Sequence, residues 1–160
     1  MFPSHDRGRY NEMHSSSIDS SIVAGYSNCL LNSEYSTVIS GCNNHTCNTK
    51  WSVVGGGSHN SIETSHHNVV TGGQYNCITG TSQFSAILGG QFNEILNTSH
   101  SFAVGTALTI NRHCTTFVNS FDVSGSVDLN PNQIPTSDAG LRVGQLYRTG
   151  SNFDEIRIKL

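Results

Sequence analysis

The sequence predicts an all-β protein: a homotrimeric left-handed parallel β-roll or β-helix of about six 16-residue coils, with a small C-terminal β cap. Three observations predict this fold class. Ser, Thr, Asn and Gly supply 69 of the 160 residues, charged residues supply only 12 %, and one short motif returns every 15 to 17 residues. We expect three segments: a polar N-terminal arm (1–19), the repeat β-roll (20–110) and a C-terminal β segment or cap (111–160).

The composition argues against several other classes of protein. Ordinary globular chains carry about 25 % charged residues, and a helical bundle needs charged outer faces, so 12 % charge disfavours a bundle. A disordered chain is also disfavoured, because Val, Ile, Phe and Tyr recur throughout the sequence. The formal net charge of -3 offers no electrostatic attraction for nucleic acid or an anionic membrane. We therefore expect neither as a partner.

The sequence also bears on where the protein assembles. No stretch approaches the roughly 18 apolar residues of a membrane span, and residues 1–7 lack the apolar core of a secretory signal. Five cysteines cannot all pair within one chain, which favours free thiols in a reducing cytoplasm. Cys42 and Cys47 have no second cysteine pair to complete a zinc site. We expect no metal there.

The repeat is the strongest signal in the chain. When the units are aligned on one glycine, an asparagine follows three residues later, an aliphatic residue or threonine follows five later, and an apolar residue stands three before. The repeat corners are Gly25, Gly41, Gly57, Gly73, Gly90, Gly105, Asn28, Asn44, Asn60, Asn76 and Asn93. The positions expected in the core or between chains are Ile22, Val38, Val54, Val70, Ile87, Phe102, Leu30, Ile62, Ile78, Ile95 and Ile110.

Short strands joined by tight corners suit this unit. Its aliphatic residues alternate with small polar ones, as they do in a half-buried strand. Glycine permits a left-handed corner without a Cβ penalty, and stacked asparagines can hydrogen-bond from coil to coil. Parallel coils about 4.8 Å apart would stack six units into a column roughly 25–30 Å tall.

A single column of this kind lacks apolar side chains. Each coil supplies only two or three aliphatic residues, too few to offset the entropy cost of ordering 16 residues. Large rings also precede several units, among them Tyr35, Trp51 and Phe84, and they leave an apolar stripe to be covered. Identical chains around a threefold axis are the simplest cover. We therefore expect a homotrimer in which Trp51 packs between chains.

The run Ser-Val-Val-Gly-Gly-Gly-Ser-His-Asn-Ser-Ile at 52–62 is echoed at 72–78 and 89–95. It resembles the repeats of trimeric β-roll heads, and the resemblance spans residues 20–110. Such heads occur in trimeric autotransporter adhesins and in fibre or decoration proteins of phages and large DNA viruses. The adhesin repeat is usually a residue or two shorter and carries Ala-x-Gly where this chain has Gly-Gly-x-x-Asn. That departure favours the viral group.

After the sixth unit the period ends. Residues 116–124 alternate as strands do, and Pro131 marks a break. Three features then follow in order: Ile-Pro-Thr-Ser-Asp-x-Gly at 134–140, Gly-Gln-Leu-Tyr at 144–147, and a closing hairpin that ends in 155–160. This order resembles the C-terminal segment of many phage and giant-virus structural proteins. This second resemblance implies a role in the virion.

Catalytic and metal-binding residues find little support. His66 and His67 are consecutive and cannot point to the same side of a strand, and His45 and His59 occupy different repeat positions. Three copies of one histidine around a trimer axis would offer a cation site, but solvated or stacked histidines are favoured. The acids are scattered, whereas glycoside hydrolysis needs two carboxylates about 5–9 Å apart. We expect no catalytic residue, cofactor or metal, and no enzyme.

Two functions from different classes remain. The favoured one is a virion structural protein, a trimeric fibre, spike or capsid-decoration module assembled in the host cytoplasm. The alternative is a receptor- or glycan-binding adhesin tip of a tail fibre or bacterial surface protein. A tip would carry long loops and a bacterial adhesin would carry a secretion signal and a membrane anchor, and the sequence indicates neither.

The expected partners follow from the favoured function. They are other copies of the chain and a capsid, tail or other virion protein, with a host-surface receptor as a further candidate. Residues 1–19 are polar, mixed in charge and without periodicity. They are either a disordered start or an arm that becomes ordered when it docks on the particle.

Overall fold

A computed structural model of the chain describes residues 8–120, 124, 146–149 and 155–158. The chain divides into two units, Met1–Phe121 and Asp122–Leu160. All the secondary-structure elements in the described part of the chain are β-strands. In chain order the strands are β1 (Glu12–Met13), β2 (Ser21–Ile22), β3 (Cys29–Leu31), β4 (Thr37–Val38), β5 (His45–Cys47), β6 (Val53–Val54), β7 (Ser61–Glu63), β8 (Val69–Val70), β9 (Cys77–Thr79), β10 (Ala86–Gln91), β11 (Glu94–Leu96), β12 (Phe102–Thr106), β13 (Thr109–Ile110), β14 (Thr116–Val118), β15 (Leu146–Thr149) and β16 (Glu155–Ile158).

The first unit is a parallel β-solenoid. Its odd-numbered strands, β1 to β13, form one seven-stranded sheet (sheet 1), and its even-numbered strands, β2 to β14, form another (sheet 2). Each strand pairs in parallel with the strand one coil away, so that Leu30 lies beside Thr46 and Thr46 beside Ile62. The predicted all-β coiled fold is confirmed, with about seven coils rather than six.

The second unit contains one described element, an antiparallel hairpin of β15 and β16. Leu146 pairs with Ile158 and Thr149 pairs with Glu155. This hairpin lies where the sequence predicts a turn and a closing strand. The rest of the expected cap, including the motif at 134–140, lies outside the described residues.

The solenoid extends past both expected bounds, 20 and 110. Strand β1 lies inside the expected arm and pairs with β3, so residues 8–19 belong to the first coil and the expectation of an unpatterned arm is wrong for them. The signal was present in the sequence: Gly8, Asn11 and Met13 stand 17 residues before their counterparts in the next coil. At the other end β14 pairs with β12 across a coil of only 14 residues, which a fixed period misses.

The core consists of two apolar columns, one from each sheet. Sheet 1 contributes Leu30, Thr46, Ile62, Ile78, Ile95 and Ile110, and sheet 2 contributes Ile22, Val38, Val54, Val70, Ile87 and Ala103. Phe102, expected in the core or between chains, lies outside the core: it is 42 % exposed, and Ala103 takes the inward position. The pairing of Ile87 with Ala103 shifts register before Gly90 pairs with Gly105. An alignment on glycine therefore misplaces the core residue by one.

Buried asparagines form a ladder through the interior. The backbone N–H of Asn44 donates to Oδ1 of Asn28 at 3.0 Å, and Nδ2 of Asn44 donates to the carbonyls of Ser40 at 3.0 Å and Gly57 at 3.1 Å. Asn28, Asn60, Asn76 and Asn93 repeat this arrangement. Each amide is buried and hydrogen-bonded to the neighbouring coils, so its hydrogen bonds offset the cost of removing it from water.

A second polar ladder runs along sheet 2. The backbone N–H of each member donates to the side-chain oxygen of the member one coil earlier, at 2.9 to 3.3 Å. Its members are Ser20, Ser36, Ser52, Asn68, Ser85 and Ser101. These are the small polar residues that precede each apolar strand, and the two ladders fix the register of both sheets.

The glycine corners are required by backbone conformation and by coil stacking together. Gly73 has φ of +91°, a left-handed value, and a Cβ there would press into the carbonyl oxygen of Gly90 in the next coil. Its neighbour Gly72 is different, because a Cβ at Gly72 would have its nearest atom 4.0 Å away. Only the second glycine of this pair is therefore a stacking constraint.

Candidate functional surfaces

Five rings stack along one corner of the solenoid. Successive ring centroids in this ring column (Tyr35, Trp51, His67, Phe84 and His100) are 5.7, 4.8, 4.6 and 5.2 Å apart, and the interplanar angles are 4° to 23°. All five residues are exposed, Trp51 at 51 %. The faces of the inner rings lie against their neighbours, so the ring edges are what solvent meets.

The ring column sits on an unusual backbone. Each of its residues has φ between 51° and 57°, a conformation that costs a non-glycine residue roughly 1–2 kcal/mol. Hydrogen bonds between coils hold it: the Trp51 N–H donates to the Glu34 carbonyl at 3.0 Å, and the His67 N–H donates to the Lys50 carbonyl at 2.9 Å. Ring stacking adds roughly 0.5–1.5 kcal/mol per pair, which offsets much of the strain.

A second, shorter stack was missed by sequence reasoning. His59, Tyr75 and Phe92 stack with centroids 4.7 and 5.2 Å apart, and Nδ2 of Asn43 lies 3.3 Å from Nε2 of His59. These residues stand two positions after the aligning glycine. The signal was weak because Ser27 and Asn43 occupy that position after Tyr10, so the rings become continuous only from His59 onward.

The outer face of sheet 2 is uncharged and largely apolar. Its outward positions flank the buried column on either side, and they carry no Asp, Glu, Lys, Arg or His. They are Ser21, Thr37, Val53, Val69, Ala86 and Phe102 on one side, and Val23, Ile39, Gly55, Thr71, Leu88 and Val104 on the other. Leu88 is 53 % exposed, and Val23, Ile39, Phe102 and Val104 are similarly open. Sequence reasoning expected an uncovered apolar stripe of rings but not this face.

The outer face of sheet 1 has the opposite character. Its outward positions include Glu12, Cys29, His45, Cys47, Ser61, Glu63, Cys77 and Glu94. Nδ1 of His45 lies 3.8 Å from Oε1 of Glu63, and Oγ of Ser61 donates to Sγ of Cys77 at 3.2 Å. The sheet 1 face therefore presents titratable and hydrogen-bonding groups to solvent.

The surroundings of the thiols on the sheet 1 face raise their pKa values. All five cysteines of the chain lie in the described residues and are free. Burial raises the pKa of Cys29, with Glu12 and Cys47 adding to the shift, and burial and Glu63 raise the pKa of Cys47. Burial likewise raises the pKa of Cys77. A raised thiol pKa lowers the fraction of thiolate, the form that attacks electrophiles and binds metals.

The structure distributes the candidate histidines over different surfaces. His45 lies on the sheet 1 face, His59 in the short stack and His67 in the ring column, while Nδ1 of His66 accepts a hydrogen bond from the Lys50 N–H at 3.1 Å. Within the described ranges no group of three or more His, Cys, Asp or Glu side chains is placed to hold a metal ion. Two acids lie beside basic side chains: Glu63 lies against His45, and Oε2 of Glu34 lies 2.8 Å from Nζ of Lys50.

These features define a parallel β-solenoid with one apolar outer face, one polar outer face and a stacked ring column. No protein-family model matches the chain, and no curated protein sequence matches it. The part of the chain that the structure describes includes no helix with the length and apolar character needed to cross a membrane.

Proposed function

We propose that the protein is a virion structural protein, a homotrimeric fibre, spike or capsid-decoration module. The observation that carries the proposal is the uninterrupted stacking of the coils. Both seven-stranded sheets continue from the first coil to the last, and paired residues one coil apart are separated by only 14 to 17 positions. Such a column works as a stiff spacer that holds whatever lies at its ends at a fixed separation.

Two further features support a structural role in a particle. The repeat resembles the heads of phage and large-virus fibre or decoration proteins, and the hairpin of β15 and β16 lies in the segment that resembles the C-terminal part of such proteins. The apolar outer face of sheet 2 also suits a chain that works as an assembly rather than alone, since soluble monomers rarely expose large apolar patches.

The described surfaces disfavour the alternative of a glycan-binding tip. A sugar ring stacks on the face of an aromatic side chain, but Trp51 has Tyr35 on one face and His67 on the other. Phe84 is likewise enclosed between His67 and His100. The exposed rings therefore offer edges rather than binding platforms.

The proposal also names partners and a location. A capsid or tail protein holds the module on the particle through a segment outside the solenoid, since the coils from residue 8 onward are committed to stacking. The chain is assembled in the host cytoplasm, where its cysteines remain free, and it resides in the virion. We infer no catalytic activity and no cofactor.

Electron microscopy of the parent particle tests the proposed function. We expect regular threefold density whose volume matches three copies of a 17.3 kDa chain, and labelling of that density by antibodies raised against the purified chain. Antibody labelling confined to infected cells, with unlabelled particles, would overturn the proposal.

A further inference from the structure

We propose that copies of this chain meet through one continuous surface, the outer face of sheet 2 together with the ring column. This inference rests on the proposed homotrimer and identifies which of its surfaces makes the contact. The two parts adjoin because each ring stands two residues before an outward residue of sheet 2, as Tyr35 stands before Thr37 and Trp51 before Val53. Together they form the assembly face.

Charge distinguishes the assembly face from the opposite side of the solenoid. The outward positions of sheet 2 carry no ionisable side chain, so identical copies can approach there without like-charge repulsion. Contact through the sheet 1 face would bring the carboxylates of Glu12, Glu63 and Glu94 of neighbouring copies together and remove them from water, which is costly for groups of like charge. A second copy of the chain is therefore a good occupant for the sheet 2 side and a poor one for the sheet 1 side.

The assembly face approaches the size of a stable contact. Seven strands about 4.8 Å apart give a height of about 29 Å, and four residues of extended chain plus a ring give a width of roughly 15–20 Å. The flat footprint is then on the order of 500 Å², and the accessible area of its side chains is larger. Stable interfaces bury about 800 Å² per partner. In a trimer each chain can turn this whole face toward the axis.

The repeat strengthens such a contact. The outward positions of sheet 2 recur at the spacing of the coils. If one coil packs against a coil of another copy, the coils above and below it are therefore placed to pack in the same way. Leu88 and Val104 directly follow the paired residues Ile87 and Ala103 in successive coils, and both are well exposed. A charge placed at either position would face its own copies around the axis, which makes these positions a sensitive place to test.

The experiment compares two leucines that lie eight residues apart on opposite sheets. Leu88→Lys places a charge on the assembly face, and Leu96→Lys places the same charge on the outward side of β11 in sheet 1. Sedimentation velocity at micromolar concentration reports the oligomer, and circular dichroism reports the fold. We expect the wild type and Leu96→Lys to be trimers, and Leu88→Lys to be a folded monomer whose association is weakened by about a hundredfold or more.

Each outcome decides between the assembly face and the trimer itself. If the wild type is a trimer and Leu88→Lys remains one, the proposed homotrimer is correct and the proposed assembly face is wrong. The same conclusion follows if only Leu96→Lys dissociates. A wild-type monomer would overturn both. A wild-type dimer that Leu88→Lys separates would keep the face and overturn the threefold assembly. If Leu88→Lys fails to fold, Leu88→Ser serves instead, with a smaller loss of association expected and an unchanged trimer contradicting the face.

Discussion

The paired glycines at 72 and 73 allow the coil-stacking account to be tested with one methyl group. Gly73→Ala forces an L-residue into φ of +91°, which costs roughly 1–2 kcal/mol. It also pushes the Gly90 carbonyl away from its two donors, the Gln74 N–H and Nδ2 of Asn76, each 3.0 Å away. Weakening two hydrogen bonds worth roughly 0.5–1.5 kcal/mol each brings the expected loss to about 2–4 kcal/mol per chain.

Gly72→Ala is the matched control for Gly73→Ala. Its new Cβ meets open space, and an alanine that fits without strain stabilises a chain by roughly 0.4–1 kcal/mol through the unfolded state. Denaturant unfolding followed by circular dichroism, with all variants at one chain concentration because an oligomer's stability depends on it, gives both free energies of unfolding. Equal midpoints for the two variants would refute the assigned stacking of the glycine corners.

Three further substitutions or measurements probe the interior and the sheet 1 face. Ile78→Ala empties part of a fully buried column and should lower the unfolding free energy by about 2–4 kcal/mol; a loss near zero would contradict the core assignment. Asn60→Asp replaces an amide that donates to the Gly56 and Gly73 carbonyls with a buried carboxyl whose pKa is raised in the fold. The folded variant then keeps its proton to higher pH than the unfolded chain does. Its unfolding free energy should therefore be greatest at low pH and should fall as pH rises from the unfolded pKa to the higher folded pKa. An unfolding free energy that does not change with pH over this range would contradict the prediction. Burial raises the pKa of Cys77, so its thiol should be alkylated more slowly at pH 8 in the native protein than in denaturant. The two rates should converge as pH rises. Equal rates at pH 8 would show that the thiol of Cys77 is not protected by burial.

Much of the interior could be predicted because the repeat encodes it directly. A column such as Ile62 above Thr46 follows from period alone, since only residues at the same phase can stack. The inward position of Ala103 rather than Phe102 could not be predicted, because a register shift is a property of strand pairing and spacing alone does not record it. The first coil was missed because Met13 and its companions stand one residue off the common spacing.

The candidate surfaces were harder to predict than the core. The ring column could be found because a large ring precedes several units. The outer face of sheet 2 could not, since its outward residues range from Thr37 to Leu88 and share only the lack of charge. A surface whose residues share only the lack of charge gives no periodic signal within one chain.

The composition of purified particles tests the central claim most directly. If the chain is a virion protein as proposed, quantitative mass spectrometry of density-gradient-purified virus particles should find it in fixed proportion to the capsid protein, in a number of copies that is a multiple of three. A chain that is abundant in infected cells but lost from the particle fraction through successive gradients would contradict the account.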